Sequence, residues 1–161
     1  MLVDGACGKM LSIFFQLDDQ ERKLTAKYLR MMKSDTDALP LVETGARDCL
    51  TVRTGIDGQV APGEVIDVLL DEKGNFIHLA QGLSLTIPPK ENIPRHLFKP
   101  ARRLTCYAIA SAVLVEHEHL LFIEDSETHA IIAPKHDMHI QEYEAHLAET
   151  RPLWEVHNND Q

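Results

Sequence analysis

The sequence predicts an α+β fold: an antiparallel sheet or partial β-barrel of about six short strands, with an N-terminal helix and a C-terminal helix. Two observations and one packing rule support this prediction. Short apolar runs separated by turn-forming glycines and prolines fill residues 48–133. Residues 19–33 and 137–150 instead place apolar side chains at helical spacing. Packing helices on one face of a sheet buries the apolar surface of both.

The N-terminal helix is predicted over residues 19–33, which contain neither glycine nor proline. Within it, Leu24, Tyr28, Met31 and Met32 follow one another at positions i, i+4, i+7 and i+8 and form an apolar stripe. Such a stripe exceeds what one short sheet face covers. We therefore expect a homodimer whose interface includes this helix or a neighbouring strand edge.

The β-rich core is expected to contain its clearest hairpin between residues 65–70 and 76–80. Its turn requires a positive φ, which glycine adopts without strain, so Gly74 is predicted to have one. Residues 88–100 contain four prolines and are expected to be irregular. The other predicted strands are 49–53, 83–87, 104–115, 120–123 and 130–133.

The C-terminal helix is predicted over 137–150, with Asp137 as its N-cap. The polar residues 155–161 are expected to form a loose tail. A chain of 161 residues is long enough to bury one core, so the whole of 1–161 is expected to be a single domain.

Net charge, apolar runs and cysteine spacing limit the kinds of protein that this sequence can be. The net charge of −9 disfavours general binding to nucleic acid, whose phosphates repel an acidic surface. No apolar run approaches the roughly 20 residues of a membrane span, and none is expected. Asp4 and Lys9 interrupt the N-terminal apolar residues, which argues against a signal peptide. The three cysteines form no CxxC pair and are typical of free thiols in the cytoplasm.

Histidines are concentrated near the C-terminus, where six of the nine fall between residues 117 and 146. His117, His119 and Glu124 have the spacing HxHxxxxE. On a strand the two histidines would share one face, and a later carboxylate could complete a metal site. This spacing resembles the first motif of the cupin family, which implies a bound metal. The alternative interpretation is that Glu116–His119 is a polar tip between two strands.

Two further histidines fall on the predicted C-terminal helix. His139, Glu142 and His146 are separated by three and four residues and share a helix face. The two histidines lie about two turns, or ~10 Å, apart, which is too far for one ion without other ligands. This group is therefore interpreted as a solvated helix face.

A basic segment, 95–103, interrupts an otherwise acidic chain. Its cationic side chains could hold a phosphate or carboxylate by charge-assisted hydrogen bonds. The predicted ligand-binding residues are Arg95, Lys99, Arg102 and Arg103.

Together with the segment from Glu124 through Ser126 to His129, this basic segment resembles the PilZ family. That family binds cyclic di-GMP through an arginine cluster and a D/N-x-S-x-x-G motif on a barrel. Here Glu124 replaces the first position of the motif and His129 replaces the glycine. The resemblance therefore implies a degenerate module for a nucleotide second messenger.

No nucleophile, cofactor loop or catalytic motif stands out. The leading hypothesis is a non-enzymatic cytoplasmic binding, adaptor or regulatory protein that acts through contacts with another protein or with a second copy of itself. One alternative is a metal-binding protein or metal-dependent enzyme that uses the histidine cluster. The other is the degenerate PilZ-like module. No cofactor is expected, although a divalent transition metal is compatible with the histidines.

Overall fold

A computed structural model of the chain describes residues 26–158. Six strands form one sheet in the order β6-β7-β4-β1-β5-β8, and each neighbouring pair is antiparallel. Two further strands, β2 and β3, form a separate parallel pair. The strands are β1 (Lys27–Met32), β2 (Thr54–Ile56), β3 (Val68–Leu70), β4 (Leu83–Thr86), β5 (Thr105–Ala110), β6 (Leu120–Glu124), β7 (His129–Pro134) and β8 (Glu155–Val156).

One α-helix lies within this part of the chain, α1 (Ile140–Glu149). The protein therefore combines a mostly antiparallel six-stranded sheet with one C-terminal helix, as the predicted α+β class requires. Within residues 26–158 no barrel closes, because β6 and β8 lie at opposite edges of an open sheet. Short 3₁₀ turns complete the structure at Lys90–Asn92, Arg95–Phe98, Pro100–Arg102, Ser111–Leu114 and Arg151–Leu153.

The N-terminal helix predicted over residues 19–33 is wrong for the part of that range that the structure describes, which begins at residue 26. Residues Lys27–Met32 form the strand β1, which pairs with β5 along its whole length. Residues 19–25 lie outside the described part of the chain. The local pattern favours a helix, but the partner strand is supplied from nearly eighty residues away, and such tertiary pairing overrides helix propensity.

The residues of the predicted interface stripe do not form an exposed interface in the described part of the chain. Leu24 lies outside the described residues. Tyr28, Met31 and Met32 expose only 6%, 8% and 0% of their surface, so they belong to the core. Because successive residues of a strand point to opposite faces, Met31 packs on one side of the sheet and the other two pack on the opposite side. They form no exposed stripe.

The strands and the hairpin predicted between residues 65 and 133 are partly confirmed. Predicted strands at 83–87, 120–123 and 130–133 correspond to β4, β6 and β7. The turn of the predicted hairpin is present, since Gly74 has a φ of +86° and Leu70 bridges Phe76. The second arm, 76–80, does not continue as a strand.

Two other predicted strands are displaced or shortened. Residues 49–53 form no strand, and regular pairing begins only at Thr54. The strand predicted over 104–115 ends at Ala110, where the chain turns into the 3₁₀ segment Ser111–Leu114.

The C-terminal helix is confirmed, but its cap is His139 rather than Asp137. The Nδ1 atom of His139 accepts a hydrogen bond from the backbone amide of Gln141 at 3.1 Å. The predicted loose tail is also corrected in part. Glu155 and Val156 pair with β5, and the amide of His157 donates to the carbonyl of Cys106 at 2.8 Å.

The sheet is covered on both faces. The larger core packs helix α1, Leu50 and Val52 against one face, and its largest buried side chains include Trp154, Tyr107 and Tyr143. On the other face, Ile93 and Leu97 from the 3₁₀ region cover Leu29 and Met31. Within residues 26–158, no helix has the length and the hydropathy needed to cross a membrane.

Candidate metal centre

The histidine cluster assembles at one end of the β6–β7 hairpin. His119 directly precedes β6, and His136 follows β7 by two residues. The strands are in register from Leu120 with Pro134 onward, and the amide of Lys135 donates to the carbonyl of His119 at 2.9 Å. Backbone pairing therefore fixes His119 and His136 side by side.

Helix α1 brings further donors to the same place. Its start is anchored to the turn at residues 71–74, where the amide of Ile140 donates to the carbonyl of Gly74 at 2.8 Å. The Nε2–H of His139 donates to the carbonyl of Lys73, also at 2.8 Å. Glu142 and His146 then lie one turn apart on the face toward the hairpin end.

Three side chains converge at this place: His119, His136 and Glu142. Each offers one donor atom, and the three donor atoms lie within 4.8 Å of one another. In a tetrahedral zinc site with bonds near 2.1 Å, donor atoms lie about 3.4 Å apart. The 4.8 Å limit is wider than that separation, so these side chains would have to move closer together to coordinate one ion.

The protonation pattern of His136 suits metal binding. Its Nδ1–H donates to the backbone carbonyl of Asp137 at 3.0 Å, because a carbonyl can only accept. The lone pair of a neutral His136 ring is therefore on Nε2, which lies 2.9 Å from Nδ1 of His119. A metal-ligating histidine commonly has such a carbonyl partner on its second nitrogen. Without an ion, Nδ1–H of His119 donates to this lone pair.

His146 lies beside the trio and contains an unsatisfied atom. Its ring stacks on that of His119, with centroids 4.1 Å apart and planes 15° apart. Its Nδ1 faces the Glu149 carboxylate at 3.3 Å. Its Nε2 is buried, has no hydrogen-bond partner among residues 26–158, and lies 3.7 Å from Oε1 of Glu142. Such an orphaned nitrogen is unusual in proteins and is consistent with an ion or water at this site.

His117 takes a different role from the predicted one. Its Nδ1 accepts hydrogen bonds from the backbone amides of His119 and Leu120, each at 3.0 Å. The ring hydrogen of neutral His117 is therefore on Nε2, which leaves no lone pair for a metal. Burial, together with His146 and His119 nearby, lowers the pKa of His117 below its ordinary value. His117 thus holds the turn that positions His119.

The structure does not bring Glu124 to the histidines. Glu124 pairs with Ala130 at the far end of the hairpin, four residues or about 13 Å along β6 from Leu120. Its carboxylate instead accepts a hydrogen bond from the Tyr28 hydroxyl at 2.9 Å. The two histidines of the HxH pattern lie in the turn before β6 and not on a strand. This turn is not a hairpin tip, because β5 and β6 are not neighbours in the sheet.

The four residues of the predicted anion site are separated in the structure. Arg102 lines a cavity of about 450 Å³ on the sheet. Lys99 and Arg103 line a different hollow beside Cys106, and Arg95 is exposed at the surface. Of the motif that resembles PilZ, His129 lines the same cavity as Arg102, whereas Glu124 points to Tyr28.

The described cysteines are not activated nucleophiles. Cys49 and Cys106 are buried and unpaired with each other. Burial raises the pKa of both thiols, which keeps them protonated near neutral pH. Cys7 lies outside the described residues.

Two residues of the trio, His136 and Glu142, were not predicted as metal ligands. The predicted strands 120–123 and 130–133 contained the signal for His136. Paired as a hairpin, they bring the residue before the first strand next to the residues after the second. Glu142 had no such signal, because its position depends on how α1 docks on the turn at 71–74.

Comparison with known proteins finds no matching family model, no matching curated protein and no matching solved structure.

Proposed function

We propose that this protein binds one divalent transition-metal ion through His119, His136 and Glu142. The observation that carries the proposal is the convergence of these three donor atoms within 4.8 Å. Two imidazoles and one carboxylate suit zinc and its neighbours among the first-row metals. Zinc with three protein ligands keeps a fourth position open.

The surrounding charges favour a cation. Besides Glu142, the carboxylates of Glu118 and Glu149 lie near the histidine rings, at 3.7 Å from Nε2 of His119 and 3.3 Å from Nδ1 of His146. The nearby ammonium group of Lys135 is hydrogen-bonded to the carbonyl of His117. The excess of carboxylates raises the local concentration of cations.

A fourth coordination position would be reached from solvent, because the side chains of His136 and Glu142 are exposed. A water molecule or a donor group from another protein can occupy it. A partner that completes the coordination would link the metal to the binding role expected from the sequence. In the alternative, a metal-dependent enzyme, the bound water would be the reacting group.

The test uses the full chain without a histidine tag, stripped with a chelator and titrated with zinc chloride by calorimetry. We expect about one zinc per chain, retained on dialysis and measured by elemental analysis. The double variant His119→Ala/His136→Ala should bind zinc at least tenfold more weakly.

The matched control is His129→Ala, which removes a histidine from the opposite end of the same hairpin and should bind like the wild type. Substoichiometric zinc in the wild type, or equal affinities in the double variant and the wild type, would refute the proposal. Circular dichroism of each variant establishes that it is folded.

A further inference from the structure

A second feature lies between β1 and β4 in the sheet, next to Thr128 and His129 at the other end of the β6–β7 hairpin. Only Leu29 and Thr86 pair between these two strands, whereas β1 pairs with β5 at six positions. The cavity of about 450 Å³ lies at this opening and is bounded by Arg30 of β1 and Ser84 of β4. Its volume is within the range of small-molecule sites.

The cavity is cationic in a protein of net charge −9. Its lining contains two more arginines than aspartates. A concave surface with an excess of one charge concentrates field lines and attracts ions of the opposite sign. The charged lining residues, histidines apart, are Arg30, Arg47, Arg53, Arg102, Asp48 and Asp67.

Two of these arginines already have carboxylate partners. Arg53 forms a two-bond pair with the largely buried Asp67, at 2.8 and 3.1 Å. Arg102 lies 3.5 Å from Asp48, which is longer than the usual charge-assisted hydrogen bond of about 2.8 Å. The looser contact leaves Arg102, whose side chain is 38% exposed, able to turn toward a ligand.

Arg30 has only neutral hydrogen-bond partners. Its guanidinium donates to the carbonyls of Ser84 at 2.7 Å and Cys49 at 3.3 Å, both neutral groups. Its Nε is buried and has no hydrogen-bond partner among residues 26–158. A buried donor without an acceptor costs about 1–3 kcal/mol, and a cation without a contacting anion costs more. A ligand with an anionic oxygen beside the guanidinium would supply the missing anion.

We propose that this cavity binds a small organic anion through a phosphate or carboxylate group, held by Arg30 and Arg102. The anion lies against the guanidinium of Arg30 and replaces the loose contact of Arg102 with Asp48. The site is independent of the proposed metal centre, because Thr128 and His129 line it at the opposite end of the hairpin from His119.

Calorimetry on the chelator-treated full chain tests this proposal, with inorganic phosphate, pyrophosphate and citrate as separate probes at constant ionic strength. We expect saturable one-to-one binding of at least one probe. Preference for the phosphates or for citrate identifies the anionic group. Arg102→Ala should weaken binding at least tenfold.

Arg95→Ala is the matched control, because it removes an exposed arginine of the same basic segment that does not line the cavity, and it should bind like the wild type. Arg30→Gln should abolish binding. If that variant does not fold, Arg102→Ala against Arg95→Ala decides the question. The proposal is overturned if no probe saturates, or if the two variants weaken binding equally and so show only an effect of net charge.

Discussion

The hydroxyl of Tyr143 links helix α1 to two strands through the backbone: it donates to the carbonyl of Ile132 at 2.6 Å and accepts from the amide of Leu83 at 2.9 Å. The ring is fully buried. The adjacent Gly82 has no room for a side chain, because an added Cβ would clash with the Ile132 carbonyl and the Tyr143 hydroxyl. This contact sets how α1, and with it Glu142, docks on the sheet.

Replacing this hydroxyl should therefore be costly. Tyr143→Phe leaves a buried amide and a buried carbonyl without their partner, and we expect a loss of about 1–3 kcal/mol in the free energy of unfolding. Tyr28→Phe is the control, since its hydroxyl contacts the exposed Glu124, and it should cost less. Urea denaturation measures both. Equal stability of Tyr143→Phe and wild type would contradict the assigned hydrogen bonds.

The turn at Gly74 gives a second prediction. Its φ of +86° disfavours any side chain, and a Cβ there would clash with the ring of His139. Gly58 has a similar φ of +78° but open space around it. Gly58→Val should cost about 1–2 kcal/mol from backbone strain alone, and Gly74→Val should cost more. Thermal denaturation separates the two; an equal cost would show that the ring of His139 moves aside freely.

His117 should make stability depend on pH. Its pKa is lower in the folded state than its ordinary value of about 6.5, chiefly because of burial. The unfolded chain therefore binds more protons below that value, and the folded state loses stability as the pH falls from about 7.5 through 6. His117→Asn retains an acceptor for the two amides but does not titrate. Its stability should change less over this range, and a parallel pH profile would contradict the assignment.

Glu142 should contribute directly to zinc affinity. Glu142→Gln replaces a carboxylate with a weaker neutral donor, and we expect the affinity to fall at least tenfold. Glu118→Gln removes an equally negative and more exposed side chain near His119, so it serves as the control for charge alone. Calorimetric titration with zinc compares them. If both variants lose the same affinity, Glu142 acts only through its charge.

The homodimer stays a prediction, but its interface must differ from the apolar stripe that suggested it. Tyr28 and Met32 are buried in the core, which leaves a strand edge such as β6. Light scattering at micromolar concentration, with zinc and with a chelator, should show a mass near twice 18.2 kDa. A mass near one chain that does not change on tenfold concentration would exclude self-association in this range.

Local sequence determined the features that depend on neighbouring residues. The turn chemistry at Asp71–Gly74, the strands β4, β6 and β7, and the apolar spacing of Tyr143 and Leu147 all act within a few residues. For the same reason, the concentration of histidines indicated a region but not a ligand set. The adaptor role and the cytoplasmic location remain predictions from composition.

Only the tertiary structure decided the rest. Lys27–Met32 has the spacing of a helix and is a strand because Thr105–Ala110 pairs with all six of its residues. The β6–β7 register and the docking of α1 together bring His119 close to Glu142. The same register places Glu124 at the other end of β6, away from this histidine cluster. Arg30 borders a cavity because β1 and β4 part after one residue pair. Each of these contacts joins residues distant in the chain, and local propensity does not encode such pairing.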